Sequence, residues 1–385
     1  MKKAYNEIWV DNIENQEIIQ EWYDEKVISA EQMEEACKEF PIGFYQPNIF
    51  IEFGLFIFTN LAISATFGFL SVTLFSSIIE TNIGLAIICL IYAVSLFFLL
   101  EYFIINKKLY RSGTDNALLY VTIGLLLTAI FAFTDFKLAL YGYYLIMFLV
   151  FIPFLLRYGD PFLAIGIYVV WVGFWFILLL EFSIGKTIMP FVIMLVSVVA
   201  YVFVKWWKKK DDSAYYIDAQ ICIETSALIT FYLGGNYLIV REGNAMLNNL
   251  SSSVQISFAP LFYFFTVVTP LAYLFLGLKN RDRKMLIVGA FCVVFSIFTY
   301  RYYFSVLPLE WALTVGGTAL VSLAIILIRY LKTPKYGMSY QQSKESKYRD
   351  FEAFLVSQVL PQHGQGDKAK FGGGNFGGGG AGSNY

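Results

Sequence analysis

Residues 83–103, IGLAIICLIYAVSLFFLLEYF, hold one charged side chain, Glu101, in an otherwise apolar run. A hydrocarbon core about 30 Å thick takes roughly 20 helical residues, so this stretch alone reads as a transmembrane helix. Its apolar residues do not alternate with polar ones, which excludes a barrel strand, and its backbone must satisfy itself internally. Nine further stretches have the same character: Ile49 to Leu70 before it, then Ala117 to Phe133, Leu138 to Leu156, Phe162 to Leu180, Ile188 to Val204, Ile217 to Val240, Ile256 to Leu278, Met285 to Tyr303 and Trp311 to Ile328. The expected fold is an all-α integral membrane protein, a bundle of about ten transmembrane helices with small helical soluble ends.

Composition agrees. Hydrophobic residues make up 58% of the 385-residue chain and charged residues 15%, and the mean hydropathy is +0.61, far from a soluble balance. A net charge of -1 gives no electrostatic footprint for nucleic acid. The four cysteines, Cys37, Cys89, Cys222 and Cys292, are scattered without C-x-x-C spacing, so neither a zinc site nor a disulfide framework is expected. The opening Met-Lys-Lys-Ala-Tyr-Asn-Glu runs into acidic residues, so no cleavable signal peptide is expected there.

Orientation follows from Lys and Arg near the span ends. Connectors after even-numbered spans carry fifteen of them, including Lys107, Lys108, Arg111, Arg157, Lys205, Lys208, Lys284 and Arg329; the opposite connectors carry four, Lys137, Lys186, Arg241 and Arg301. That asymmetry predicts both termini in the cytoplasm. Interfacial residues fit the same frame, with Trp206, Trp207, Arg301 and Trp311 expected as membrane-interface anchors.

Residues 1–46 read as a cytosolic helical hairpin. Ile18, Ile19, Trp22 and Tyr23 recur at helical spacing, and Met33, Cys37 and Phe40 repeat it after a turn at Glu25-Lys26. Ser29 with Gln32 forms a capping box, and Pro41 follows the second helix. Eleven acidic residues against four basic ones suit docking on the chain's own basic loops or on a protein partner. Residues 47–331 are the transmembrane bundle. Residues 332–370 read as a cytosolic linker whose Tyr348, Phe351 and Leu355 share one face of a short amphipathic helix. Residues 371–385, FGGGNFGGGGAGSNY, are predicted to be a disordered Gly-rich tail, with recognition by a partner through Phe371, Phe376 and Tyr385 as the alternative.

The segment Glu21-Trp22-Tyr23-Asp24-Glu25-Lys26-Val27-Ile28-Ser29-Ala30-Glu31-Gln32, followed by many spans, resembles the opening of uncharacterised multi-span bacterial membrane proteins that share a short N-terminal cytosolic helical hairpin. The tail is similar to those of membrane proteins with a TPM domain, although no TPM domain is present. These resemblances imply an architecture and bring no activity or functional residue with them.

Within the spans, charged residues carry the functional expectation. Glu224 and Gln220 stand one turn apart on the seventh span, with Glu224 about 10 Å below its start at 1.5 Å per residue. A carboxylate at that depth is expected to be protonated or to line a wet cavity. With Asp218 and Asn60 these residues form a candidate polar path for an ion or small solute; the alternative is interhelical hydrogen bonds that hold the bundle together. Gly234-Gly235-Asn236 and Gly316-Gly317 are candidate helix breaks or close-packing points, but they do not occupy matching positions in two inverted sets of five spans.

Enzyme chemistry has little to work with. The one histidine, His363, lies in the C-terminal segment, and no P-loop, G-x-S-x-G or H-E-x-x-H motif occurs. No catalytic residue, metal or cofactor is expected. The favoured expectation is a non-enzymatic interaction or envelope scaffold in contact with the lipid bilayer. The alternative is a secondary transporter or channel that uses the buried carboxylate of the seventh span, and a membrane-embedded transferase with a cytoplasmic pocket is a third.

Overall fold

A computed structural model describes residues 2–330 except residues 25, 74–75, 211–213 and 304–308. The linker 332–370 and the tail 371–385, with Phe371, Phe376 and Tyr385, lie outside the described residues. What is described is helical throughout, apart from turns, loops and an isolated bridge between Tyr45 and Leu109. The chain is an all-α, multi-pass membrane protein.

Helices α1 (Glu7–Asp24) and α2 (Ala30–Glu39) form the hairpin. The Ser29 hydroxyl accepts from the Gln32 backbone N–H, and the Gln32 side chain accepts from the Ser29 N–H, the capping box read from sequence. Gln16 and Asn12 tie α1 back to the carbonyls of Phe40 and Pro41 at 2.6 and 2.9 Å.

Among the described residues, eight helices are long and apolar enough to cross a membrane: α3 (Ile49–Thr73), α5 (Asn82–Lys107), α6 (Thr114–Phe133), α7 (Leu140–Tyr158), α8 (Pro161–Leu180), α9 (Gly185–Lys210), α12 (Ala259–Asn280) and α13 (Arg283–Tyr303). A single turn, α4 (Ser76–Ile79), separates α3 from α5. The seventh apolar stretch is divided into α10 (Ile217–Gly235) and α11 (Tyr237–Leu247), and the tenth forms α14 (Leu309–Tyr330), continuous through Gly316 and Gly317.

Polarity decides where each helix sits. The window of α3 that could cross the membrane is 6% buried within the protein, and Phe50, Phe58 and Val72 point outward for lipid. Helix α10, which carries Asp218, Gln220 and Glu224, is the hub: it packs against α8, α9, α11, α12 and α13. Its Gln220 and Glu224 are enclosed by neighbouring helices, because a helix carrying such groups is tolerated in lipid only where protein supplies their partners.

Where α7 turns into α8, Gly159 adopts a positive φ of 60°, and a Cβ there would meet the Tyr215 carbonyl at 2.6 Å. This close approach lets Tyr216 donate to the Leu156 carbonyl at 2.6 Å and Tyr215 donate to that of Arg157, satisfying the end of α7.

Candidate functional site

Arg111, Arg157, Lys205, Lys208 and Lys284, from the described connectors rich in Lys and Arg, meet the first half of α10 and the N-terminal segment, a region called the basic end, and the four sequence-predicted path residues take separate places. Asp218 pairs with the Arg111 guanidinium from the α5–α6 connector. Glu224, 2% exposed, receives Lys208 from α9 and Lys284 from α13, each 2.9 Å from Oε2, with Lys205 of α9 at 3.4 Å from Oε1. Lys205 also lies 3.6 Å from Asp282. The two fates expected for a carboxylate at that depth, protonation or a wet cavity, give way to a third, because the protein supplies counter-ions. Gln220 is buried beside them, and among the described residues its amide nitrogen finds no hydrogen-bond acceptor. Asn60 sits on α3, which packs on α6, and donates to the Phe56 carbonyl of its own helix at 2.9 Å. The structure thus places Asp218, Gln220 and Glu224 on one helix facing different neighbours, with Asn60 apart from them.

A second polar cluster at the basic end was not apparent from the sequence. Asp115, 1% exposed, accepts from the Tyr5 hydroxyl at 2.8 Å, the Arg111 and Ser112 N–H groups and the Ser112 hydroxyl. Burial, and then the charge of Asp115, push the Tyr5 phenol well above its ordinary pKa, so it stays a donor. Nearby Asp160 caps α8 through the Leu163 N–H at 2.7 Å and accepts from Tyr120 and Asn116. Burial raises the pKa of Asp160 despite those donors.

These contacts dock the N-terminal segment on the bundle. The Ala4 N–H donates to the Arg157 carbonyl at 2.9 Å, Arg157 donates to the Lys2 carbonyl at 3.0 Å while gripping Glu101, and Lys108 sits over the Trp9 ring. Residues 2–5 and Trp9 thus rest on the end of α7 and on the α5–α6 connector through backbone, tyrosine and tryptophan contacts. The far turn of the hairpin leaves Trp22, Tyr23 and Val27 exposed.

Deeper in the bundle lies the break in the seventh segment. Asn236, fully buried, caps α11 by accepting from the N–H groups of Leu238 and Ile239 at 3.0 and 3.3 Å. Its amide donates to Tyr232 and Thr299, and the Tyr237 N–H donates to Thr266, so the interrupted backbone is satisfied by α12 and α13. On the other side α9 carries Pro190, which removes the donor the Lys186 carbonyl would otherwise receive. Gly234 permits the approach: a Cβ there would crowd Met194 at 3.1 Å and the Pro190 carbonyl at 3.3 Å.

Between the break and the Pro190 region is a cavity of about 460 Å³, lined by residues of α8, α9, α10, α11 and α12 and by the loop containing Gln255. Its lining is mixed, including Lys186, Thr187, Thr230 and Asn244 beside Phe176, Met189 and Ile193. A separate groove of about 530 Å³ between α7, α8 and α9 is lined almost wholly by apolar side chains and suits lipid tails. Trp206 and Trp207 line that groove near the end of α9. Trp311 is exposed at the start of α14 and Arg301 is half-buried near the end of α13.

No family model matches the chain, and no curated protein or solved structure is significantly similar to it. Among the described residues no group of His, Cys, Asp and Glu is arranged to hold a metal ion.

Proposed function

We propose that this chain is a non-enzymatic bacterial inner-membrane protein, with both termini cytoplasmic, that carries a small solute through the cleft around α9, α10 and α11. The observation behind this reading is the interruption at Asn236, set against Pro190 with a mixed-polarity cavity between them. Broken helices are tolerated at membrane depth where they line a cavity, and transporters place their substrates at such breaks. At the basic end of α9 and α10, Glu224 with Lys205, Lys208 and, from α13, Lys284 closes the cleft as an ionic latch. Thr230, on the cavity wall, lies six residues further along α10 than Glu224, about 9 Å at the helical rise. The fifteen-to-four distribution of Lys and Arg supports the orientation.

The test is solute flux in liposomes carrying the full chain. Lys205→Gln loosens the latch while leaving Glu224 two lysine partners, and it should change flux by about tenfold. Equal flux in variant, parent and protein-free liposomes defeats the carrier reading.

A protein-interaction scaffold is the second reading, favoured by the exposed Trp22, Tyr23 and Val27 on the acidic hairpin. Truncating the first forty residues would also remove Tyr5 from Asp115, so substitution of Trp22 and Val27 is the cleaner experiment. A scaffold loses its partner on that change, whereas a carrier keeps its flux.

A further inference from the structure

We infer that the cavity at the α10–α11 break binds a small organic anion, an apolar body bearing one negatively charged headgroup. The inference deepens the carrier reading and rests on it for passage of the ligand, but not for binding. About 460 Å³ falls within the range of small-molecule sites. The lining is graded. Ile193, Leu233 and Gly234 lie beyond the start of α9 and at the end of α10, whereas Lys186, Thr187, Asn244 and Gln255 gather where α9 begins and α11 ends.

Lys186 is the charged residue of this lining, and among the described residues no carboxylate lines the cavity. Its ammonium donates to the Leu247 carbonyl at 2.8 Å and to the Asn248 side-chain oxygen at 3.3 Å. Both acceptors are neutral, so they hold the ammonium in place without cancelling its charge, and an ammonium has three donors. Among the described residues no carboxylate pairs with Lys186. Thr187 and Asn244 add hydrogen-bonding groups on the same wall, the pattern that fixes a ligand's polar end. A cationic amphiphile would meet Lys186 with no counter-charge. A sugar-like solute would leave its hydroxyls against Phe176, Met189 and Ile193.

The experiment compares three probes with one apolar body, octanesulfonate, octan-1-ol and octyltrimethylammonium, by calorimetric binding to the full chain in nanodiscs. Octanesulfonate should bind saturably and at least about tenfold more tightly than either of the others, and Lys186→Gln should remove that margin. Equal affinity for the three probes, as for nonspecific partition into the lipid-like cavity wall, overturns the inference, and so does an unchanged margin in Lys186→Gln. Should that variant not fold, a cysteine at Thr187 supplies the readout: octanesulfonate, and not octan-1-ol, should slow its modification by a methanethiosulfonate reagent, and equal rates overturn the assignment. Binding without octanesulfonate flux would sink the carrier reading and leave the site standing; absence of both binding and protection sinks the site itself.

Discussion

Lys284 Nζ and Glu224 Oε2 stand 2.9 Å apart with side chains only 7% and 2% exposed, which ties α13 to α10 at the basic end. Lys208 reaches the same oxygen, and Lys205 approaches the other. One buried carboxylate therefore serves three cations, with Asp282 sharing the load of Lys205. Such a cluster is held by the carboxylate more than by any one ammonium, because removing the anion leaves like charges facing one another away from water.

Glu224→Gln should accordingly cost about 3–5 kcal/mol, the usual penalty for orphaning buried charge. Lys205→Gln should cost well under half of that, since its side chain is 42% exposed and water can replace the lost contact. Thermal unfolding of the two variants in detergent gives the comparison, and equal losses would show that Glu224 is not the centre of the cluster.

How much of this was legible in the sequence follows from the range of each signal. Apolar runs and the Ser29–Gln32 box are local, and the structure has both. Gly234-Gly235-Asn236 is one of two candidate breaks in the sequence; the chain breaks there and runs on as one helix through Gly316-Gly317. The partners of Glu224 were visible only as orientation charges. Lys205 and Lys208 lie one turn apart on α9 and Lys284 is sixty residues away from Glu224, so nothing local reveals that they converge. Tyr5 and Asp115 are 110 residues apart, and an N-terminal tyrosine gives no sign that it plugs a buried carboxylate.

Tyr5→Phe isolates that plug. The ring still packs against Tyr110 and Phe44, while Asp115 loses one of four donors. A hydrogen bond to a buried carboxylate contributes about 2 kcal/mol. The expected result is a fall in stability of that size together with faster amide exchange over residues 2–10; unchanged exchange would mean that the ring contacts alone hold the segment.

Asn236→Leu keeps the bulk at the break and removes its chemistry. The α11 N–H groups of Leu238 and Ile239 lose their cap, and Tyr232 and Thr299 lose a partner. Loss of the cap costs about 1–2 kcal/mol, and the stranded hydroxyls add to it. The break should then relax, so octanesulfonate binding should weaken more than the change in thermal stability would suggest. A variant that loses stability and binds normally would separate the break from the cavity.

Asp160 sets a pH dependence at the basic end, where burial holds its native pKa above the ordinary aspartate value. An acid whose pKa is higher in the folded than in the unfolded state binds more protons when folded. Its stabilising contribution is full below the unfolded value, about 3.9, and is lost as pH rises through the higher native value. Asp160→Asn keeps a good helix cap for α8 and cannot titrate. The parent's stability relative to this variant should therefore fall as pH rises from about 4 toward neutral. Thermal unfolding of both proteins across that range is the measurement. A difference that stays flat, or that grows with pH, would mean that the donors from Leu163, Tyr120 and Asn116 outweigh the burial of the carboxylate.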